Sequence, residues 1–201
     1  DDHSINIVAA TGDVNEIRYL KSNRDLQIFT LSDELYIPTY LNQAITPTNA
    51  QIRKQTPFGC EFVRPESIDG GTIFVERGGK AVREYLYTDT EDAYTSTSIS
   101  TLGEHLLNNP VDMAVVHSGF MADGGMALFS SNRSEKRAAW SGVELPTGHK
   151  FKSVVAIGER LFTQVMGPSG DHYLYEFSED IGLDHWEYLT NAVNRVDISA
   201  N

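Results

Sequence analysis

Cleaving a glycosidic bond takes two carboxylates a few ångströms apart, one as acid and the other as base or nucleophile. The side chains of the right type here are Asp69, Glu84, Asp89, Glu91, Asp92, Asp123, Glu176, Glu179 and Asp180. Most of them stand in turns or at hairpin ends, where Asp and Glu serve solvation and turn chemistry, so they read as structural. Sialidase-like proteins repeat a Ser-x-Asp-x-Gly-x-x-Trp turn, and the nearest stretch, residues 134–140, lacks both its Asp and its Gly. A triad of Ser118, His117 and Asp112 has no nucleophile elbow around the serine, and "MAVVHSG" supplies no helix behind it.

The metal and phosphate chemistries fare no better. His105 and His117 are too isolated in sequence to form a pair, and His149, His172 and His185 fall in different connections. Asp69-Gly70-Gly71 and Asp123-Gly124-Gly125 lack the oxygen-rich spacing of a calcium loop and read as β-turns. These glycine pairs precede strands instead of a helix N-terminus, so they do not make a phosphate loop. Cys60 is the single cysteine, which excludes an internal disulfide and a thiolate zinc site. It opens an apolar strand with no cation placed to lower its pKa, so it reads as a buried, unreactive thiol. The expectation is therefore no catalytic residue, no cofactor and no metal.

Composition narrows the partners. The 201 residues carry a net charge of -12, with 40% hydrophobic and 22% charged residues, the profile of a folded globular chain. Counterion release from nucleic acid needs clustered Lys and Arg, so a nucleic-acid partner is not expected. No apolar run reaches the length of a membrane span and no signal peptide is visible. The chain opens on Asp1-Asp2-His3, which reads as a fragment of something longer.

The elements that must position any site are short strands. In "DGGTIFVERGGKAVREYLYTDTEDAY", residues 72–76 and 82–87 favour β, and Gly78-Gly79 suits a two-residue hairpin loop with positive φ. The same grammar recurs: "LQIFTL" and "LYIPTY" around an acidic turn, "DGGMALFSSNRSEKRAAW", and "RLFTQV" joined by Gly-Pro-Ser-Gly to "YLYEFSED". Each hairpin follows a further apolar run, "INIVAA", "CEFVRP", "VDMAVV" and "FKSVVAI". Repeated units of three or four antiparallel strands predict an all-β fold, a β-propeller or partial propeller of about four hairpin-based blades. A β-sandwich with a helical insert is the rival, since it too needs short strands and polar turns. Leu102, Leu106 and Leu107 at helical spacing, followed by Pro110, predict one short helix between blades over residues 98–109. No linker composition divides the chain, so residues 1–201 read as a single domain.

The stretch "TPTNAQIRKQTPFG", residues 46–59, differs in kind, with two Thr-Pro steps and the paired cations Arg53 and Lys54. It reads as an outer strand and connection, or as a surface that docks a neighbour, with Arg53 and Lys54 the candidate partner contacts. From here to "VDMAV" the sequence resembles a family of structural proteins from short-tailed bacteriophages. The residues that carry the resemblance are Asn49, Gln55, Thr56, Gly59, Arg77, Gly78, Gly79, Val82, Arg83, Glu84, Tyr94, Leu102, His105 and Leu106, over roughly residues 46–116. The third hairpin departs from it, being more polar where relatives carry an aromatic-rich strand.

The resemblance implies a virion protein without catalytic activity, a tail tube or nozzle component on a propeller platform. It implies assembly in the host cytoplasm, a homo-oligomeric ring in the tail, and other tail or portal-proximal proteins as partners. The alternative is a receptor- or carbohydrate-binding propeller, with glycan hydrolysis as a variant of that reading. It would use exposed aromatics drawn from Tyr85, Tyr87, Tyr94, Trp140, Tyr173 and Tyr175.

Overall fold

A computed structural model describes residues 15–39, 44–116, 119–132 and 137–177, with the side chains of 119–123 and 132 left out. Within these bounds the chain is all-β. It forms four antiparallel sheets, each a meander in which consecutive strands are neighbours. The first holds β1 (Ile17–Ser22), β2 (Leu26–Thr30), β3 (Glu34–Ile37) and β4 (Arg53–Thr56). The second holds β5 (Glu66–Ile68), β6 (Gly71–Val75), β7 (Val82–Thr88) and β8 (Ala93–Ser98). The third holds β9 (Asp112–Val115), β10 (Gly119–Asp123), β11 (Gly125–Asn132) and β12 (Arg137–Val143). The fourth holds β13 (Lys150–Ile157), β14 (Arg160–Met166) and β15 (His172–Phe177).

The side-chain period of two sorts each strand between two layers. In β6, Phe74 turns to the first sheet, joining Phe29, Tyr36, Cys60, Tyr85 and Tyr94. Its neighbours Ile73 and Val75 turn the other way, to Val82, Met113 and Ala127 between the second and third sheets. In β11, Met126 and Leu128 face the fourth sheet, where they meet Phe151, Val154, Leu161 and Val165. Strands covered on both faces are buried throughout, as in β6, whereas β14 alternates because only one face of its sheet is buried. The first strands of the last three sheets adjoin, β5 with β9 and β9 with β13, whereas the first two sheets meet through their outer strands β4 and β8.

Three expectations need correction. The helix over 98–109 is a single 3-10 turn, Glu104–Leu106, with no α-helix among the described residues. Gly103 sits immediately before it beneath Trp140, so close that a Cβ would lie 2.6 Å from the indole Cγ. Tertiary packing of Leu106 and Trp140, not helix propensity, shapes the segment. Next, "CEFVRP" supplies only an isolated bridge from Cys60 to Glu76, because Pro65 lacks an amide for a ladder and the strand begins at Glu66. Finally, the loop between β6 and β7 has four residues, Arg77-Gly78-Gly79-Lys80, since the Glu76 amide bonds the Ala81 carbonyl at 2.8 Å. The run "INIVAA" lies outside the described residues.

Both loop glycines have positive φ, 92° at Gly78 and 66° at Gly79. Their surroundings differ. A Cβ on Gly78 meets open space, whereas one on Gly79 would lie 2.7 Å from Asn109 Oδ1 and 2.9 Å from its Cα. Gly78→Val should cost about 1 kcal/mol from backbone strain alone. Gly79→Val should cost clearly more, because it also drives the turn off Asn109, and urea denaturation of the two variants measures the difference.

Candidate functional site

The joint between the first and second sheets concentrates the chemistry-bearing side chains. Its centre is aromatic. Tyr85 and Tyr94 stack at 4.5 Å and 10°, Tyr36 lies 5.0 Å from Tyr94, and Phe29 lies 5.2 Å from Phe74. Each such pair contributes about 0.5–1.5 kcal/mol beyond the area it buries. Burial pushes the Tyr85 and Tyr94 hydroxyls well above the ordinary phenol range. These two rings are packing residues, and neither is presented to a glycan.

A polar seam runs through the same joint. Thr72 Oγ1 donates to Gln27 Oε1 at 2.6 Å, Tyr94 donates its hydroxyl to Asp25 Oδ2 at 2.9 Å, and Tyr94 N donates to Gln55 Oε1 at 2.8 Å. Arg18 donates to the Cys60 carbonyl at 2.6 Å and to Glu61 Oε1 at 3.0 Å. Lys21 bridges to Glu66 at 3.0 Å. The Arg24–Asp89 bridge is largely exposed and screened by solvent, so it adds little. The buried bonds therefore do more to fix the two sheets than the visible ion pair does.

Glu34 is the residue that sequence reasoning missed. It is fully buried on β3, with Oε2 accepting from Thr56 Oγ1 at 2.5 Å and from Phe58 N at 3.4 Å. Among the described residues Glu34 Oε1 has no hydrogen-bond partner, and neither has the Tyr85 hydroxyl. Burial raises the Glu34 carboxyl to about 7 against the opposing pull of Thr56, the Phe58 and Gly59 amides, and Arg83. A glutamate inside an apolar strand was the available signal, in "DELYI". Beside it, burial first and the Glu34 charge second push the Cys60 thiol up to about 12.

The remaining candidates are dispersed. Asp69, at φ 46° in the turn after β5, and Glu84 of β7 line one cleft of about 370 Å³ between the second and third sheets. Ser98, Thr101 and Ser131 add hydroxyls there, and Phe129 an apolar wall. Asp89, Glu91 and Asp92 occupy the exposed β7–β8 turn, where Asp92 accepts the Tyr87 hydroxyl. Glu176 pairs with Arg160 on the fourth sheet. Asp112 clasps the third sheet to the fourth, Oδ2 accepting from Val154 N at 2.9 Å. It is thus occupied structurally. Glu179, Asp180, His117, Ser118 and His185 lie outside the described residues, as does the Asp123 side chain. His105, His149 and His172 stand on separate elements, and no group of three or more His, Cys, Asp or Glu fit to hold a metal occurs among the described residues. No helix among them is long and apolar enough to cross a membrane.

Arg53 and Lys54 lie on β4, the outermost strand of the first sheet. Lys54 forms an ion pair with Asp33, whose own side chain is buried, so part of its charge serves the fold.

Two measurements test this joint. A raised carboxyl pKa means the folded state holds a proton that the unfolded chain releases. The stability from Glu34 is full below about pH 4.5 and is lost as pH rises through about 7. Glu34→Gln should remove a pH-dependent difference on the order of 3 kcal/mol between those limits, measured by urea titrations across the window. Cys60 should resist a thiol reagent in native buffer and react at the rate of unfolding. No protein-family model and no curated protein matches the chain, so function has to be read from the residues themselves.

Proposed function

We propose that this chain is a structural component of a short-tailed phage virion. In this reading it forms part of a tail tube or nozzle ring and acts through protein–protein contacts. The observation that carries the reading is where the family-like residues fall. Gln55 caps the Tyr94 amide across the joint between the first two sheets. Gly59 passes under the Leu31 carbonyl with φ 74°, leaving no room for a Cβ. Thr56 holds Glu34, and Asn49 accepts the Thr46 amide at 2.7 Å. Arg83 lies 3.4 Å over the Phe58 ring and bonds Glu76 at 2.6 Å. Gly79 abuts Asn109, and Leu106 packs at Gly142. The motif is spent on turns, strand pairs and joints between sheets, which supports a framework role.

A propeller is the architecture this reading uses. Its support is the run of consecutive meanders stacked face to face, the last three with their first strands adjoining. A ring would repeat modest contact patches around its circumference, so small individual affinities add up. The cleft at Asp69 and Glu84 favours the second reading, a receptor- or carbohydrate-binding propeller.

Cryo-microscopy of the source virion tests the first reading, which expects the four-sheet unit in a ring at the tail. Absence of the chain from virions, or turnover of an oligosaccharide at an enzyme-like rate, overturns it. Arg53→Glu should lower tail assembly while the domain still folds and melts cooperatively. Lys54→Glu should destabilise the domain by about 1 kcal/mol or more, because it removes the cation from the buried Asp33 carboxylate and sets a like charge beside it, leaving Asn15 as its side-chain donor. Gel filtration of infected-cell extracts and thermal melts separate the two effects.

A further inference from the structure

The second and third sheets are covered on both faces, and the two end sheets are not. The fourth sheet turns Phe151, Val154, Leu161 and Val165 toward the third. Its other face sets Val155 beside Phe162, Gln164 beside Leu174, and Ile157 beside Arg160 across the ladder. Val155 is 50% exposed, Leu174 53% and Ile157 62%.

At the opposite end, Tyr19 and Phe29 turn from the first sheet toward the second. The cross-strand pairs Ile17–Thr30 and Leu20–Ile28 lie on the reverse face, where Ile28, Leu35 and Ile37 pack against Ile45 and Ile52. Ile17 and Leu20 stand outside that cluster, 59% and 60% exposed. Among the described residues eight large apolar side chains are exposed, and two on the first end face plus three on the fourth make five of them. Single exposed apolar residues are ordinary, but their concentration at both ends of one stack marks contact surfaces.

Charge decides which surfaces meet. β13, β14 and β15 hold one carboxylate, Glu176, and Arg160 binds it. Lys150, beside Met166, stays exposed on the bare face, and Lys152 is exposed at the bulge next to it. Two such faces in contact would set these lysines against each other. The first-sheet end instead offers Glu16, exposed immediately before Ile17, on a chain of net charge -12. Lys54, on the far strand β4 of that sheet, is already taken by Asp33.

We propose that the bare face of the fourth sheet receives the β1 end of the first sheet of a second copy of this chain. Sheet-on-sheet stacking then continues from one copy to the next. Such a head-to-tail contact generates a ring where the rotation closes and an open row where it does not. It deepens the tail-ring reading by naming the surfaces between copies, and it rests on that reading for the ring alone. Three strands of at most eight residues present a face of about 26 Å by 14 Å. That is a small interface, with a Kd on the order of 100 μM for one contact.

Sedimentation velocity of the 201-residue chain from about 10 μM to 1 mM should show the mean mass rising above the monomer around that Kd. Ile157→Lys, Leu174→Lys and Leu20→Lys, all at exposed positions, should each weaken association at least tenfold with unchanged thermal melts. An equimolar mixture of Ile157→Lys and Leu20→Lys should associate again and stop at dimers, because each variant keeps the face that the other lacks. A chain that stays monomeric at the highest concentration overturns the proposal. So does full association by Leu20→Lys, which means the fourth-sheet face pairs with itself, or a mixture that stays monomeric. A monomer in solution leaves the virion measurement untouched, so failure of this contact and failure of the tail reading are told apart.

Discussion

A four-stranded meander of short strands has two broad faces and no means of covering either from its own residues. That constraint governs this chain. Each sheet becomes stable only when a neighbour lies against it, so apolar side chains must point both ways along strands such as β6. The aromatic layer of Phe29, Tyr36, Phe74, Tyr85 and Tyr94 and the smaller aliphatic layer of Ile73, Val75, Val82 and Met113 are two answers to one problem. Polar residues then fix the register of sheet on sheet, which apolar contact alone leaves free to slide.

Two kinds of polar joint do this work. Side chains that cross between sheets, such as Gln27 to Thr72 and Asp112 to Val154, are satisfied and specific. Glu34 is different, because one of its oxygens lacks a partner beside a tyrosine hydroxyl in the same position. A neutral acid tolerates that setting where a carboxylate would not, and the joint is therefore tuned to protonation.

Much of this order is written locally. The alternation of "TIFVE" and "VREYLY", the turn glycines, and the apolar run "FKSVVAI" specify strands that the structure contains as β6, β7 and β13. Other strands were not legible. β1 and β5 are too polar or too short to declare themselves, and β10 follows β9 with no strong turn signal between them. The leucines after Ser98 keep helical spacing, but packing at Trp140 overrides that local preference. At the site level, the burial of Cys60 was readable from its apolar surroundings. The pairing of Lys54 with Asp33 and the isolation of Glu34 depend on contacts across turns and sheets, which spacing along the chain does not encode.

The consecutive order of the meanders bears on how the chain is made. Among the described residues every strand pair joins neighbours in sequence, so a sheet requires no residue that has yet to be translated. At roughly 5–20 residues per second, a segment of about forty residues leaves the ribosome over two to eight seconds, while a hairpin closes in about 1–10 μs. Each sheet can therefore form while the next is still being synthesised, with one bare face waiting for it. During those seconds the aromatic face of the first sheet, Phe29 and Tyr36, is the surface a chaperone would meet, and arrival of the second sheet with Phe74 and Tyr85 ends that exposure.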